Sequence, residues 1–190
     1  MGCQSIVDKK DNPATNATES SVTKVTLQTL DGKDTLLTGI TNNKASVFIF
    51  LSPDCPLSQS YSLPLNEFSK KYKENNIRFY GIFSGTLHKP EEVKDFQKKY
   101  LVEFPLLLDT AYNLTRMLNA TITPEAFVVD SKGTVLYSGR IDNWAYEVSK
   151  KRQLITEHNL QDALDCIINN MPISVKKTQA VGCIIESGKK

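Results

Sequence analysis

The fold is decided by the stretch ASVFIFL (residues 45–51), which runs directly into SPDCPLS (residues 52–58). The first stretch is apolar and rich in Val, Ile and Phe, which indicates a central strand buried on both faces. Pro56 suits the first position of a helix, so a helix is expected to begin there. Cys55 then becomes the cap residue, with its sulfur beside the unpaired amides of the first helical turn. The sequence therefore predicts a strand end, a cysteine and a helix start at one point of the chain.

Strands and helices alternate after this point. Apolar residues at spacings of three and four predict a helix over residues 57–72, and Pro90 opens a second helix after another strand. Such alternation implies an α/β fold, in which helices flank a sheet with a parallel component. We also expect an N-terminal hairpin, a later antiparallel hairpin and a last helix capped by Asn159. The predicted strands span residues 22–27, 36–37, 77–83, 106–108, 126–129 and 135–137.

The composition limits the classes of protein to which the chain can belong. A chain of 190 residues, 40% of them hydrophobic, has enough apolar material for the core of one domain. Its formal net charge of +2 comes from evenly mixed signs, whereas nucleic-acid binding requires clustered positive charge. The longest uninterrupted apolar run, residues 47–51, is far shorter than the ~18 residues of a membrane-spanning helix. We therefore predict a globular domain with no nucleic-acid partner.

Cys55 is the leading candidate for chemistry. The amides and the dipole at a helix N-terminus favour thiolate over thiol, which lowers the thiol pKa and creates a nucleophile. Asp54 opposes this effect by like-charge repulsion if its carboxylate turns toward the sulfur. The alternative is an inert cysteine buried at a strand end. The order of strand, cysteine, proline and helix favours the reactive interpretation.

This arrangement resembles the thioredoxin-like superfamily, and specifically its redoxin branch, over residues 22–168. That branch groups thiol-disulfide oxidoreductases with alkyl hydroperoxide reductases and thiol-specific antioxidant proteins. The resemblance implies a thioredoxin-like three-layer fold and makes Cys55 the attacking cysteine. It also places Ser58 where dithiol members have their second cysteine. Because a hydroxyl cannot close a disulfide, this departure puts the ordinary dithiol cycle in doubt.

The resemblance also assigns the surroundings of Cys55. The segment Thr123-Pro124-Glu125 is similar to the family's cis-proline loop, which packs against the active cysteine and offers backbone groups to an extended substrate. Peroxiredoxins usually carry a threonine three residues before their cysteine, and here that place holds Ser52. The expected substrate-binding residues are Ser52, Pro56, Thr123 and Pro124.

The C-terminal tail offers a substitute for the missing second cysteine. Gly182-Cys183 resembles the terminal Gly-Cys of redoxin proteins from bacterial cell envelopes. Cys183 would resolve a sulfenic acid or mixed disulfide at Cys55 if the tail brought the two α-carbons within about 7 Å. The alternative is that the apolar neighbours of Cys183 pin the tail to the core, where Cys183 merely packs. Cys166, in the last predicted helix, is expected to be structural.

The N-terminus suggests attachment to a membrane. Gly2-Cys3 resembles the start of a mature bacterial lipoprotein whose leader has been removed, with Cys3 acylated. A frayed terminus is the alternative. We predict a flexible polar tether over residues 1–21, a redoxin domain over residues 22–172 and a tail over residues 173–190. The expected location is the bacterial periplasm or cell envelope, with membrane contact only through a lipid anchor at Cys3.

The leading functional hypothesis is a thiol-disulfide oxidoreductase in which Cys55 is the nucleophile and Cys183 is the candidate resolving thiol. Exchange requires an accessible Cys55 beside the Pro124 loop, and the expected substrates are proteins or small molecules that carry thiols or disulfides. A thiol peroxidase, a copper chaperone of the Sco type and a non-catalytic binding module remain as alternatives. Copper binding would need folding to bring Cys55, Cys183 and His88 together, and His88 is expected to face solvent. No zinc-knuckle spacing is present, so we expect no metal site and no cofactor.

Overall fold

The computed structural model describes residues 22–186. The predicted tether, with Cys3, lies outside the described residues. The elements follow one another as β1 (Thr26–Thr29), β2 (Asp34–Leu36), β3 (Ala45–Phe50), α1 (Pro56–Lys73), β4 (Ile77–Ser84), α2 (Pro90–Lys99), β5 (Leu106–Asp109), α3 (Asn113–Leu118), β6 (Ile122–Thr123), β7 (Glu125–Asp130), β8 (Val135–Gly139), β9 (Ala145–Glu147), β10 (Lys150–Lys151), α4 (Asn159–Ile168) and β11 (Cys183–Ile184).

The central sheet has seven strands in the order β2-β1-β5-β4-β3-β7-β8. Strands β3, β4 and β5 are parallel to one another, because a helix crosses over between each consecutive pair. Strand β7 joins β3 in antiparallel register, and β8 follows it through a hairpin. The hairpin of β1 and β2 extends the opposite edge by antiparallel pairing with β5. The predicted α/β fold, with a mixed sheet and an N-terminal hairpin, is confirmed.

The sheet divides the core into two apolar layers, and β3 contributes to both. Every residue of β3 is buried, as its sequence predicts. Val47 and Ile49 face the layer formed with α1, α2 and α4, whereas Phe48 and Phe50 face the layer that contains α3. Alternate side chains of a strand point to opposite faces, so an apolar run fills both layers at once. The end of β3, where Cys55 follows, is therefore held from both sides.

Two predicted details near the ends of the domain were wrong. Val22–Lys24 forms a 3-10 turn instead of the start of a strand. Val22 and Val25 are both buried, and a backbone hydrogen bond of 3.2 Å joins them. A hydrogen bond between residues three positions apart is the pattern of a 3-10 turn. At the other end, α4 begins at Asn159 but its cap residue is His158. The side chain of Asn159 instead accepts a hydrogen bond from Arg140.

None of the helices within residues 22–186 combines the length and the apolar character needed to cross a membrane.

Candidate redox site

Cys55 occupies the cap position of α1, as the sequence predicts. Its backbone is extended, with φ −82° and ψ 116°, and Pro56 takes the first helical position. The Cys55 amide donates to the carbonyl of Ser52, which closes a tight turn between β3 and α1. The backbone of Ser58 and Leu57, in the first turn of α1, lowers the pKa of the thiol. The end of a buried strand and the start of a helix thus fix the position of the thiol.

The sulfur of Cys183 lies beside the sulfur of Cys55. The two Sγ atoms are 2.8 Å apart, and the Cys183 thiol donates toward Cys55. Both residues are free cysteines. A disulfide bond is about 2.05 Å long, so bond formation needs an approach of less than ~1 Å. The structure therefore brings together the two cysteines that the sequence singled out, although 128 positions separate them.

The loop before β7 forms the other side of the pair. The peptide bond between Thr123 and Pro124 is cis, as the family resemblance implies. The carbonyl oxygen of Thr123 lies 3.0 Å from the Cys55 sulfur, and the thiol form of Cys55 donates to it. A thiolate has no proton to donate, so ionisation of Cys55 removes this hydrogen bond and leaves the one that Cys183 donates.

The tail reaches Cys55 as a short strand. Strand β11 pairs antiparallel with β6, and Cys183 stands opposite Thr123 in the register. The Ile185 amide extends this ladder by donating to the carbonyl of Thr121 at 2.9 Å. Gly182 is required here, because a Cβ atom at this position would lie 2.0 Å from the Thr123 carbonyl oxygen. Backbone pairing of β11 with β6, which the absence of a side chain at Gly182 allows, therefore sets the position of Cys183.

An earlier part of the tail is fixed at the far edge of the sheet. Lys177 forms a parallel bridge with Ser138 of β8. The Thr178 amide donates to the carbonyl of Ser138, and the Thr178 hydroxyl lies 2.7 Å from the phenol oxygen of Tyr137. Ala180 is buried between these contacts and Cys183. The tail is thus a strap that is held at both of its ends, and we call residues 176–186 the tail strap.

The two thiols have pKa values that move in opposite directions. Burial raises the pKa of Cys55, but hydrogen bonds from the Cys183 thiol and from the amides of Ser58, Cys183 and Leu57 outweigh it, so the net pKa is lowered. Burial, the hydrogen bond to Cys55 and the Cys55 charge raise the pKa of Cys183 to about 12. When the pair holds a single proton, that proton therefore resides on Cys183 and the charge on Cys55.

The prediction of an accessible Cys55 was wrong. Cys55 is only 1% exposed, whereas Cys183 is partly exposed. The tail strap lies over the sulfur and the cis-proline loop closes the adjoining side. Asp54 does not crowd the thiolate, because its carboxylate is 85% exposed and lies 3.8 Å from Nδ1 of His88.

Ser58 and Ser52 support the turn that carries Cys55. Ser58 is fully buried, and its Oγ accepts a hydrogen bond from the Ser52 amide at 3.2 Å. The Ser52 hydroxyl lies 3.2 Å from Nε2 of His88. The prediction that His88 faces solvent was wrong, since its side chain is only 11% exposed and packs against this turn. His88 and Ser52 also line a cavity of about 130 Å³ that Ile184 and Ile185 of the tail strap help to close.

Two contributions to the site were absent from the sequence interpretation. Gly182 allows the tail strap to approach the Thr123 backbone closely. In the sequence, Gly182 is noted only as part of the Gly182-Cys183 pair, and nothing there indicates this close approach. Beneath the site, the buried Tyr61 of α1 donates a hydrogen bond of 2.5 Å to Asp142. No local sequence pattern predicts this pair, because the two residues are 81 positions apart.

Metal ligands do not accompany the sulfur pair. Within residues 22–186, no group of three or more His, Cys, Asp or Glu side chains has an arrangement that could hold a metal ion. The structure brings Cys55 and Cys183 together, but His88 contacts Ser52.

Solved structures share this fold over nearly the whole chain. A hypothetical protein from Sinorhizobium meliloti 1021 has a TM-score of 0.77 and 21% identity, over 94% of this chain and 98% of that one. An uncharacterized conserved protein from Geobacillus kaustophilus has a TM-score of 0.75 and 21% identity, over 95% and 100%. A secreted Mycobacterium tuberculosis disulfide oxidoreductase homologous to E. coli DsbE has a TM-score of 0.54 and 19% identity, over 78% and 96%. At these identities the likeness is one of fold.

The family follows from the sequence itself. No curated protein matches the chain. The family model described as Redoxin matches residues 10–155, well over half of the 190 residues. The matched region contains the strand, the cap cysteine and the cis-proline loop described above. The chain therefore belongs to the redoxin family.

Proposed function

We propose that this redoxin is a thiol-disulfide oxidoreductase whose redox pair is Cys55 and Cys183. In this proposal Cys55 supplies the thiolate and Cys183 is the second sulfur, so the protein alternates between a dithiol and an intramolecular disulfide. The observation that carries the proposal is the 2.8 Å separation of the two sulfurs. Cys183 thereby takes the part that Ser58, with its hydroxyl, cannot take.

The charge distribution of the pair supports exchange chemistry. A thiolate is the attacking form in thiol-disulfide exchange, and a thiol of low pKa is also the better leaving group. The lowered pKa of Cys55 suits it to both parts, and the Cys183 thiol stabilises the charge by donating to it. Thr123 contacts the Cys55 sulfur, and Ser52, Pro56, Thr123 and Pro124 are proposed to shape the space for a substrate.

Disulfide exchange is favoured over the peroxidase alternative. A peroxide pocket would use the Ser52 hydroxyl beside the cysteine, but this hydroxyl pairs with His88. Cys183, in contrast, is already in contact with Cys55.

Disulfide mapping after mild oxidation tests the proposal. We expect oxidised protein to lose two hydrogen atoms and to yield a peptide pair that joins Cys55 to Cys183, and dithiothreitol to reverse the change. Cys55→Ser and Cys183→Ser serve as matched controls, in which this peptide pair cannot form. Recovery of both free thiols from oxidised wild type, or a persistent sulfenic acid at Cys55, would refute the redox pair.

We further propose that the protein acts in the bacterial cell envelope on protein or small-molecule thiols and disulfides. Support comes from the fold shared with a secreted disulfide oxidoreductase and from the persistence of disulfides in oxidising compartments. In this proposal Cys3 carries the lipid anchor. Mass analysis of the N-terminal peptide from the membrane fraction of producing cells tests it. An unmodified Cys3 in soluble protein would contradict the anchor.

A further inference from the structure

The tail strap separates the thiol of lower pKa from the surface. Cys55 is only 1% exposed, while Cys183 is partly exposed. An external thiol or disulfide has to meet one of the two sulfurs along the sulfur–sulfur axis. Attack at Cys55 would require the tail strap to leave. Attack at Cys183 would not.

The contacts of the tail strap favour a docked state. Backbone pairing holds β11 on β6, and the Ile185 amide adds a hydrogen bond beyond Cys183. Thr178 anchors the other end through Ser138 and Tyr137. Closing the disulfide needs less than ~1 Å of movement, so the oxidised protein retains this docking. The cover over Cys55 is therefore present in both redox states.

From this geometry we propose that external thiols exchange with the protein at Cys183, and that Cys55 acts only within the chain. This assignment rests on the proposed redox pair and reverses the expectation that the cysteine at the helix start meets the partner. Thiol-carrying proteins and small thiols are the partners, since both can approach a partly exposed cysteine.

The exchange balances as two displacements. An external thiolate attacks the Cys183 sulfur of the oxidised protein, a bond forms between the two, and Cys55 leaves as a thiolate. A second external thiolate then attacks the partner's sulfur in this mixed disulfide. The partner leaves as a disulfide, and Cys183 departs with the electron pair and takes a proton from solvent. Two electrons pass to the protein, and oxidation follows the same steps in reverse.

The helix start stabilises the first leaving group. When Cys55 departs, the backbone of Ser58 and Leu57 in the first turn of α1 favours its charged form, since it lowers the pKa of this thiol. The reverse assignment would expel Cys183 in the first step, and Cys183 has no helix start beside it. A leaving thiol of lower pKa departs faster, so chemistry and exposure favour the same sulfur for attack.

Glutathione disulfide provides a direct test in the full-length chain. Cys55→Ser leaves Cys183 to form a stable mixed disulfide, and Cys183→Ser leaves Cys55 to do so. Rates are read by peptide mass mapping and divided by the thiolate fraction of each cysteine, taken from the pH dependence. We expect the adduct at Cys183 to form roughly tenfold faster or more, since Cys55 has to wait for opening of the strap. Equal rates, or faster reaction at Cys55, would overturn the assignment.

Gly182→Val in the Cys183→Ser background tests whether the tail strap is the cause of the slow reaction at Cys55. The added side chain meets the Thr123 backbone and should lift the tail strap, which is checked by faster hydrogen exchange of the Ile185 amide. We expect the rate at Cys55 to rise severalfold. Gly39→Ala is the matched control, because a Cβ atom there meets nothing within 4 Å. A lifted strap with an unchanged rate at Cys55 would contradict the proposal.

The two proposals fail in different ways. If oxidised wild type contains no disulfide between Cys55 and Cys183, the proposed redox pair is wrong. The rate comparison uses variants with only one member of the pair, so it reports which sulfur external reagents reach whether or not that disulfide forms.

Discussion

The phenol of Tyr61 donates a hydrogen bond of 2.5 Å to Oδ1 of Asp142, and both residues are buried. The same oxygen accepts the backbone amide of Trp144 at 2.8 Å. Burial and the neighbouring carboxylate raise the pKa of Tyr61 well above its ordinary value, so the phenol remains a donor. This contact joins the helix that begins at Cys55 to the loop after β8 and stabilises the base of the site.

Replacing Tyr61 with Phe should lower the free energy of unfolding by roughly 1.5–3 kcal/mol, because a buried carboxylate loses a donor. Urea unfolding measures the change. Tyr72→Phe is the matched control, since Tyr72 also donates to a carboxylate, Asp165, whose side chain is 37% exposed. Water can replace the donor there, so we expect a smaller loss. Equal losses of unfolding free energy in the two variants would show that burial of the accepting carboxylate does not determine the size of the loss.

The pKa of Cys55 should depend on Cys183. Cys183→Ala removes the largest of the contributions that lower this pKa, so the pKa of Cys55 should rise. Cys183→Ser retains a hydroxyl donor and should produce a smaller rise. As the pH falls, Cys55 will protonate at a higher pH in the Ala variant than in wild type. The ultraviolet absorbance of the thiolate, with Cys55→Ser as the baseline, reports this order. Identical titrations in wild type and the Ala variant would contradict it.

Oxidation should stabilise the fold. A disulfide between Cys55 and Cys183 closes a loop across 128 positions, which restricts the unfolded chain by roughly 3–5 kcal/mol in the chain-entropy treatment. Urea unfolding of oxidised and reduced wild type should show this difference. Oxidant should not shift the transition of Cys183→Ser in the same way. Coincident transitions for the two redox states of wild type would count against a disulfide in the docked geometry.

Ser58 and Ser62, the two buried serines in the first turns of α1, should differ in their contribution to stability. Ser58→Ala leaves the partly buried Ser52 amide without its acceptor, which costs about 1 kcal/mol. Ser62→Ala removes a hydroxyl that donates to the carbonyl of Ser58, and this carbonyl retains its helical partner. Thermal unfolding of both variants should rank Ser58→Ala as the more destabilised. The opposite order would mean that the Ser52 amide finds another acceptor.

Local patterns predicted the parts of the site that lie close together in the sequence. The apolar run in β3 and the proline after Cys55 determine the strand, the cap and the helix within about a dozen residues. These elements depend on period and on proline stereochemistry, both of which are local properties.

The cover over Cys55 could not be predicted in this way. It depends on the two-residue pairing of β11 with β6, which has no periodicity of its own. The same pairing decides that Cys55 is buried, and the sequence interpretation had it exposed. His88 was misplaced for a similar reason, since its contact with Ser52 joins residues 36 positions apart. Contacts of this kind are fixed by the folded sheet as a whole.

The two cysteines of the site are synthesised at different times during translation, because Cys183 follows Cys55 by 128 positions. The ribosome produces Cys55 first, and Cys183 follows 128 positions later at a rate of about 5–20 residues per second. For about 6–25 s the nascent protein therefore holds a cap cysteine without its partner sulfur. Until Cys183 has been synthesised, the growing polypeptide depends on its surroundings, and not on its own strap, to protect that thiol from unwanted oxidation.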